Sequence, residues 1–343
     1  MPVEQRMTPG RRRGRLVAIA VAGAVVAVAF VFVFPKIAGY GAVWAALRRL
    51  TWTWVAVLVT GELANILTFA LPWMVALPGL GFVKALRVTQ ASTAFSLVVP
   101  GGAPAGMAAS FAMLRSWGLD GRPVGLAVAL TGIWNQLSTF AFPIIAVALL
   151  GVEGSGSRSL ALLAFTGVTL SVVMALGLAA ILARRELAYR VGELGRRVVS
   201  RLYRLLGKQP PRWGGEAVVR FRRQTIELLR RRWLALTAAT FANQLTGYLM
   251  LELSLRAVGI SRSEVSVAES FAAWSVGRLL VSLPLTPGGI GVVELGITGI
   301  LIGFGGPNAE VVSGVLLYRA FSTLPTLLLG LLSGATWRFQ TRK

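Results

Sequence analysis

Histidine and cysteine are both absent from the 343 residues of this chain. Without cysteine, disulfides, iron–sulfur clusters and thiolate metal sites are excluded. Without histidine, the commonest general base and metal ligand is missing. Charge is scarce too, at 14% of residues, against about 25% in ordinary soluble domains. No P-loop and no Ser/His/Asp set is present, nor an acidic pair on an early outer loop of the kind that holds a metal for glycosyl transfer. These gaps lead to the expectation of a non-enzyme with no cofactor and no metal.

What the chain has in excess is apolar sequence. Hydrophobic residues make up 55% of it and the mean hydropathy is +0.70, with runs long enough to span a bilayer. The net charge of +22 is placed at the ends of those runs. Residues 1–15 contribute +4, residues 184–232 contribute +11, and the tail from Arg338 contributes +3. Nucleic acid is one conceivable partner for so basic a chain. Lys and Arg flanking apolar spans read instead as determinants of topology and as ligands for anionic lipid headgroups, so membrane and not nucleic acid is the expected partner.

In chain order, residues 1–15 form an Arg-rich cytoplasmic tail and 16–35 a first span. Residues 37–51 suit a short amphipathic helix on the outer surface. Full spans follow at 53–77, 124–150, 159–183, 233–256 and 309–336. Two apolar stretches, 88–118 and 266–304, are interrupted by Pro and Gly and read as broken or re-entrant hairpins. The segment 184–232 reads as basic and cytoplasmic, with Val191, Leu194, Val198, Leu202 and Leu205 at helical spacing among arginines. The domain plan is a first membrane half over 16–183, the basic segment 184–232, and a second membrane half over 233–337. The fold class is thus an all-α polytopic membrane protein of about six full transmembrane helices plus two interrupted hairpins. Both termini are expected in the cytoplasm, at the inner cell membrane.

The two halves echo each other. ELANILTF at 62–69 and FANQLTGY at 241–248 place Ala-Asn and Leu-Thr at the same spacing. An interrupted hairpin follows each: VVPGGAPAG at 98–106 and LTPGGIGVV at 285–293. The next span carries Ser138, Thr139 and Pro143 in one half, and Ser322, Thr323 and Pro325 in the other. The charge rule orients the halves oppositely, so a repeat here would be inverted. In secondary transporters that arrangement puts the binding site near the midplane, between discontinuous helices.

The second break, SLPLTPGGIGVVE at 282–294, is the expected floor of a polar site. Pro287, Gly288 and Gly289 open a half-helix near Gly291, whose free N–H groups suit a phosphate or carboxylate. Arg278 lies upstream, Glu294 directly after, and Arg319 about ten residues into the last span, roughly mid-bilayer at ~1.5 Å per residue. Each arginine has two readings: a guanidinium for a lipid phosphate, or an ion pair with Glu294 or Glu269. Glu62, Asn65, Asn135, Gln136, Asn243, Gln244 and Glu252 either line the same cavity or join helices by hydrogen bonds. Gly101 and Gly102 mark the corresponding break of the first hairpin, and Arg115 reads as an interface anchor.

The stretch TPGGIGVVELGITGILIGFGGPNAEVVSGVLLYRAFSTLPTLLLGLLSG resembles the C-terminal signature of the lysylphosphatidylglycerol synthase transmembrane region, a flippase-like membrane domain family. The matching residues are Pro287, Gly288, Gly289, Gly291, Glu294, Tyr318 and Arg319. PGGAPAGMAASFAMLRSWGL is similar to the family's first motif, although Met107, Ala108 and Ala109 stand where a polar residue is expected. The resemblance implies movement of an anionic or aminoacylated phospholipid, or of a lipid-linked glycan, between leaflets. It also implies that the aminoacyltransferase domain of the full synthase is missing before Lys343, so that a separate lipid-modifying synthase would be a partner. Two other functions stay open from the residues: a scaffold for such an enzyme, and a carrier of small solutes.

Overall fold

The computed structural model describes residues 40–48, 50–98, 102–153, 169, 172–173, 176–205, 214–282 and 286–340. The tail 1–15, the first span 16–35, most of the span 159–183, and Gly101 lie outside the described residues. The described residues form an all-helical chain: α1 Tyr40–Arg48, α2 Trp52–Thr68, α3 Leu71–Ala76, α4 Phe82–Val98, α5 Gly102–Ser116, α6 Gly121–Glu153, α7 Arg185–Leu205, α8 Gly215–Ala257, α9 Val267–Ser282, a 3-10 turn Pro287–Gly289, α10 Val292–Gly303 and α11 Asn308–Gln340. Among the described residues, three spans are long and apolar enough to cross a membrane: Trp52–Ala76, which joins α2 and α3, Gly121–Glu153, and Asn308–Gly334. They coincide with the spans expected at 53–77, 124–150 and 309–336.

Both Pro/Gly-rich stretches interrupt helices. α4 packs on α5, and α9 packs on α10. At the second interface, a Cβ on Gly277 would come within 2.7 Å of Ile297 Cδ1. Glycine there lets the two half-helices approach closely, as small residues do wherever membrane helices pack.

The basic segment 184–232 and the span expected at 233–256 are joined by one continuous helix. α8 is a single helix of 43 residues that carries the arginines of its first half straight into the bundle. Its first turn is docked by α7. A Cβ on Gly192 would lie 2.8 Å from Gly215 Cα, so the backbones touch where neither residue has a side chain. Glu193 completes the joint: one carboxylate oxygen accepts from the Gly215 N–H at 3.0 Å, and the other from Arg196 Nε at 2.9 Å. On the same helix Val191 and Leu194 remain exposed, at 43% and 62%.

The interior has two apolar clusters with a polar layer between them. One cluster joins Leu58, Phe142, Ala146, Met250, Leu251, Phe271, Trp274, Ile297 and Val315. The other joins Ala70, Leu77, Val88, Leu114, Val124, Leu130 and Leu236. The residues that separate them along α2, α6 and α8 are buried polar ones: Glu62 and Asn65, Ser138 and Thr139, Thr240 and Gln244. Their bonds run between helices. Gln244 Nε2 donates to Asn135 Oδ1 at 2.6 Å, and Trp134 Nε1 donates to Thr237 Oγ1 at 3.0 Å.

The α7–α8 joint generates a prediction. Hydrogen bonds from Arg196, then from the Gly215 N–H, hold the Glu193 carboxyl below the usual carboxylate range. A group depressed in the folded state contributes stability above its unfolded value, near ~4.3, and loses it as pH falls through the folded value. The protection of the Gly215 amide, taken against its intrinsic exchange rate at each pH, should therefore fall on acidification below that range. It should already be low at neutral pH in Glu193→Gln.

Candidate functional site

The break between α9 and α10 folds as it does because its glycines occupy backbone conformations closed to other residues. Gly288 has φ 63° and Gly291, the N-cap of α10, has φ 85°. A side chain in this left-handed region costs about 1–2 kcal/mol per residue. The turn is closed by Gly289 N–H donating to Thr286 O at 3.1 Å, and by the Thr286 hydroxyl donating to Ile290 O at 2.9 Å.

Two ionised side chains secure this turn to the rest of the bundle. Glu294 accepts the Gly291 N–H at 2.7 Å with one carboxylate oxygen. With the other it accepts Arg319 Nε, also at 2.7 Å. Arg319 Nη2 then donates to Gly288 O at 3.0 Å. The two side chains are only 14% and 4% exposed. One arginine of α11 and one glutamate of α10 thus satisfy a backbone donor and a backbone acceptor that the interrupted helix leaves over, and each neutralises the other. Of the two partners open to Arg319 on sequence grounds, it takes Glu294.

Glu269 does other work. Its carboxylate accepts the Ser266 N–H at 2.8 Å while Ser266 Oγ accepts the Glu269 N–H at 3.1 Å, a capping box that starts α9. Glu252 is also committed elsewhere: it pairs with Arg256 at 2.9 Å and accepts from Ser270 Oγ at 2.7 Å. The Gly291 N–H, which the sequence offers to an anionic ligand, is already taken by Glu294.

Arg278 is placed differently. It is half-buried, its Nε is buried without a hydrogen-bond partner, and Tyr318 and Arg319 are its electrostatic neighbours. It stands eleven residues into α9, and Arg319 stands eleven residues into α11. At ~1.5 Å per residue both are about 16 Å along their helices, close to the middle of a bilayer core of about 30 Å. The guanidinium keeps donors that suit a phosphate or carboxylate, and no described acidic side chain pairs with it.

The two interrupted hairpins meet at this point. A Cβ on Gly288 would fall 2.6 Å from Leu97 Cδ2, and Leu97 belongs to the last turn of α4. Gly102, at φ 50°, starts α5 on the far side of the first break. The contact with Leu97 has no polar or charged signature, which is why nothing in the sequence pattern singles that residue out.

Asn65 and Asn243 are brought to each other. Asn65 Nδ2 donates to Thr246 Oγ1 at 3.0 Å and to Asn243 O at 3.4 Å. Asn243 Nδ2 donates to Thr68 Oγ1 at 3.3 Å, and the two threonine hydroxyls share a bond at 2.9 Å. Each Asn therefore bonds the Thr of the other helix, and the repeated Asn-x-x-Thr spacing was the sequence signal for this cluster. Glu62, three residues before Asn65, is 3% exposed, and neither carboxylate oxygen has a partner.

The family model of the lysylphosphatidylglycerol synthase TM region matches residues 16–330. The chain belongs to this family. The match takes in both interrupted hairpins and the last span through Arg319. Among curated proteins, none matches the chain.

For this member of the lysylphosphatidylglycerol synthase TM family, the clasp should carry stability. Arg319→Met or Glu294→Gln leaves one buried charge uncompensated, and each should cost about 3–5 kcal/mol. The double variant should cost clearly less than the two singles together, because neither charge is stranded. Gly291→Ala should cost about 1–2 kcal/mol for its positive φ alone. Unfolding of the purified protein in detergent measures all four variants.

Proposed function

We propose that this protein moves an anionic or modified phospholipid, or a lipid-linked glycan, between the leaflets of the inner membrane, by lodging the headgroup where the two interrupted hairpins meet. The observation that carries this reading is Arg278: a cation at membrane depth with no acidic partner among the described residues, beside a backbone turn already clamped by Glu294 and Arg319. An unpaired cation in an apolar surrounding is costly, so such residues mark ligand pathways more often than packing. A guanidinium suits a phosphodiester because its forked donors engage two oxygens at once. Tyr318 would line the same pocket, while the Pro287–Gly291 turn would form its wall.

Family membership supports the lipid reading, and the absence of any catalytic constellation from the sequence supports transport rather than chemistry. A separate synthase would then supply any modified headgroup. The reciprocal bonds of Asn65 with Thr246 and Asn243 with Thr68, at sequence offsets of 181 and 175, support an inverted repeat pivoting about the α2–α8 contact. Both termini would lie in the cytoplasm, where the arginines of α7 and of the first half of α8 would meet the anionic inner leaflet, with Val191 and Leu194 lying in the interface.

Reconstituted protein should transfer fluorescent phosphatidylglycerol between vesicle leaflets. Arg278→Gln should slow transfer by about ten- to a hundredfold, the loss expected for a charge-assisted hydrogen bond of about 1.5–3 kcal/mol. Its thermal midpoint should not fall, because Arg278 has no internal bond to lose. Unchanged transfer in Arg278→Gln contradicts the assignment.

A further inference from the structure

The clasp and Arg278 leave one buried ionisable group without a part. From the placement of Glu62 we infer that the bundle contains a proton site: the closed conformation seen here forms only with a proton on this carboxyl, and translocation depends on that proton.

Glu62 lies on α2, inside the polar layer between the two apolar clusters. Leu58, one turn before it, belongs to the first cluster, and its neighbour Gly61 faces Met250 and Leu253 of α8. Asn65, one turn after it, donates its amide to Asn243 O and Thr246 Oγ1. The helices packed on α2 are α8, α11 and α4, and among the described residues none of their charged groups pairs with Glu62. On α8, Tyr248 bonds Val267 O and Ser270, and Glu252 pairs with Arg256. On α11, Arg319 pairs with Glu294, and Tyr318 neighbours Arg278. On α4, Lys84 lies over the Trp117 ring, and Arg87 has no ion pair with Glu62.

Both oxygens of Glu62 are therefore buried with neither a donor nor a cation among the described residues. An isolated carboxylate in such surroundings costs far more than the margin by which folded proteins are stable, whereas a neutral carboxyl forfeits only ordinary hydrogen bonds. Protonation forms one O–H bond with a proton taken from water. The reverse step breaks that bond, leaves the electron pair on the oxygen, and returns the proton to water. The return requires water or a donor to reach the layer, which only an opened bundle provides. Glu62 would then be loaded each time the bundle closes. The dependence of translocation on it rests on the lipid-transport reading above; the proton site itself does not.

Two measurements on the full chain separate these claims. In vesicles of phosphatidylcholine holding a trace of fluorescent phosphatidylglycerol, wild-type transfer should fall with alkalinisation, approaching about tenfold per pH unit once the carboxyl titrates. Glu62→Gln, neutral and of the same shape, should show a flat profile. Glu62→Asp should restore the slope. Replacing sodium by choline should change nothing, which distinguishes a proton from a bound metal cation. Matching pH profiles in wild type and Glu62→Gln overturn the dependence. Infrared difference spectroscopy judges the site with no lipid movement at all. A protonated-carboxyl band at neutral pH, shifted in D2O and missing from Glu62→Gln, supports it, and a wild-type spectrum without that band overturns it.

Discussion

An α-helix survives in hydrocarbon because every backbone N–H and C=O is used within the helix, and a break forfeits that security. In this chain the break at Pro287–Gly291 recovers it through Glu294 and Arg319, which bind the Gly291 N–H and the Gly288 carbonyl and neutralise each other. The rest of the site follows from this clasp. It fixes α10 to α11, holds the turn against Leu97 at the tip of the first hairpin, and leaves Arg278 nearby with no acid of its own among the described residues. A buried ion pair is a modest source of stability by comparison with apolar packing. Its value here is positional: it allows non-helical backbone to persist inside the bundle.

The polar layer extends the same logic across the bundle. Between two apolar clusters, α2, α6 and α8 are joined by amide and hydroxyl bonds, with the crossed Asn65–Thr246 and Asn243–Thr68 pairs at the centre. Such bonds hold membrane helices together at about 0.6–2 kcal/mol apiece, strong enough to set register and weak enough to let helices rock. Within the membrane bundle two ionisable groups among the described residues keep buried polar atoms without a partner, one basic and one acidic: Arg278 and Glu62. Groups that a fold leaves unmatched at such expense are where a transporter's ligands are to be sought.

Much of this was legible in the residues. Proline and glycine announce both breaks by chemistry local to the chain, and the spans at 53–77, 124–150 and 309–336 are apparent from apolar run length. The family signature from Pro287 to Arg319 rests on side chains that do meet in space. The partner of Arg319 was not legible, because Glu269 and Glu294 are equally plausible until three-dimensional packing decides. The Ser266–Glu269 spacing does contain a capping signal that argues for Glu269 as a helix cap. The continuity of α8 through 232/233 was obscured because charge density, which suggests a cytoplasmic segment, does not terminate a helix. That Arg278 and Glu62 lack partners among the described residues depends on several packed helices at once, and no local pattern encodes it.

The central claim is that the clasp consumes Arg319 and leaves Arg278 for a lipid phosphate. Native mass spectrometry of the protein released from anionic membranes tests it most directly. Wild type should carry an anionic phospholipid through mild activation, Arg278→Gln should lose it while remaining folded, and the Arg319→Met/Glu294→Leu pair should keep it to the extent that the fold survives. Equal lipid retention by wild type and Arg278→Gln would contradict the account.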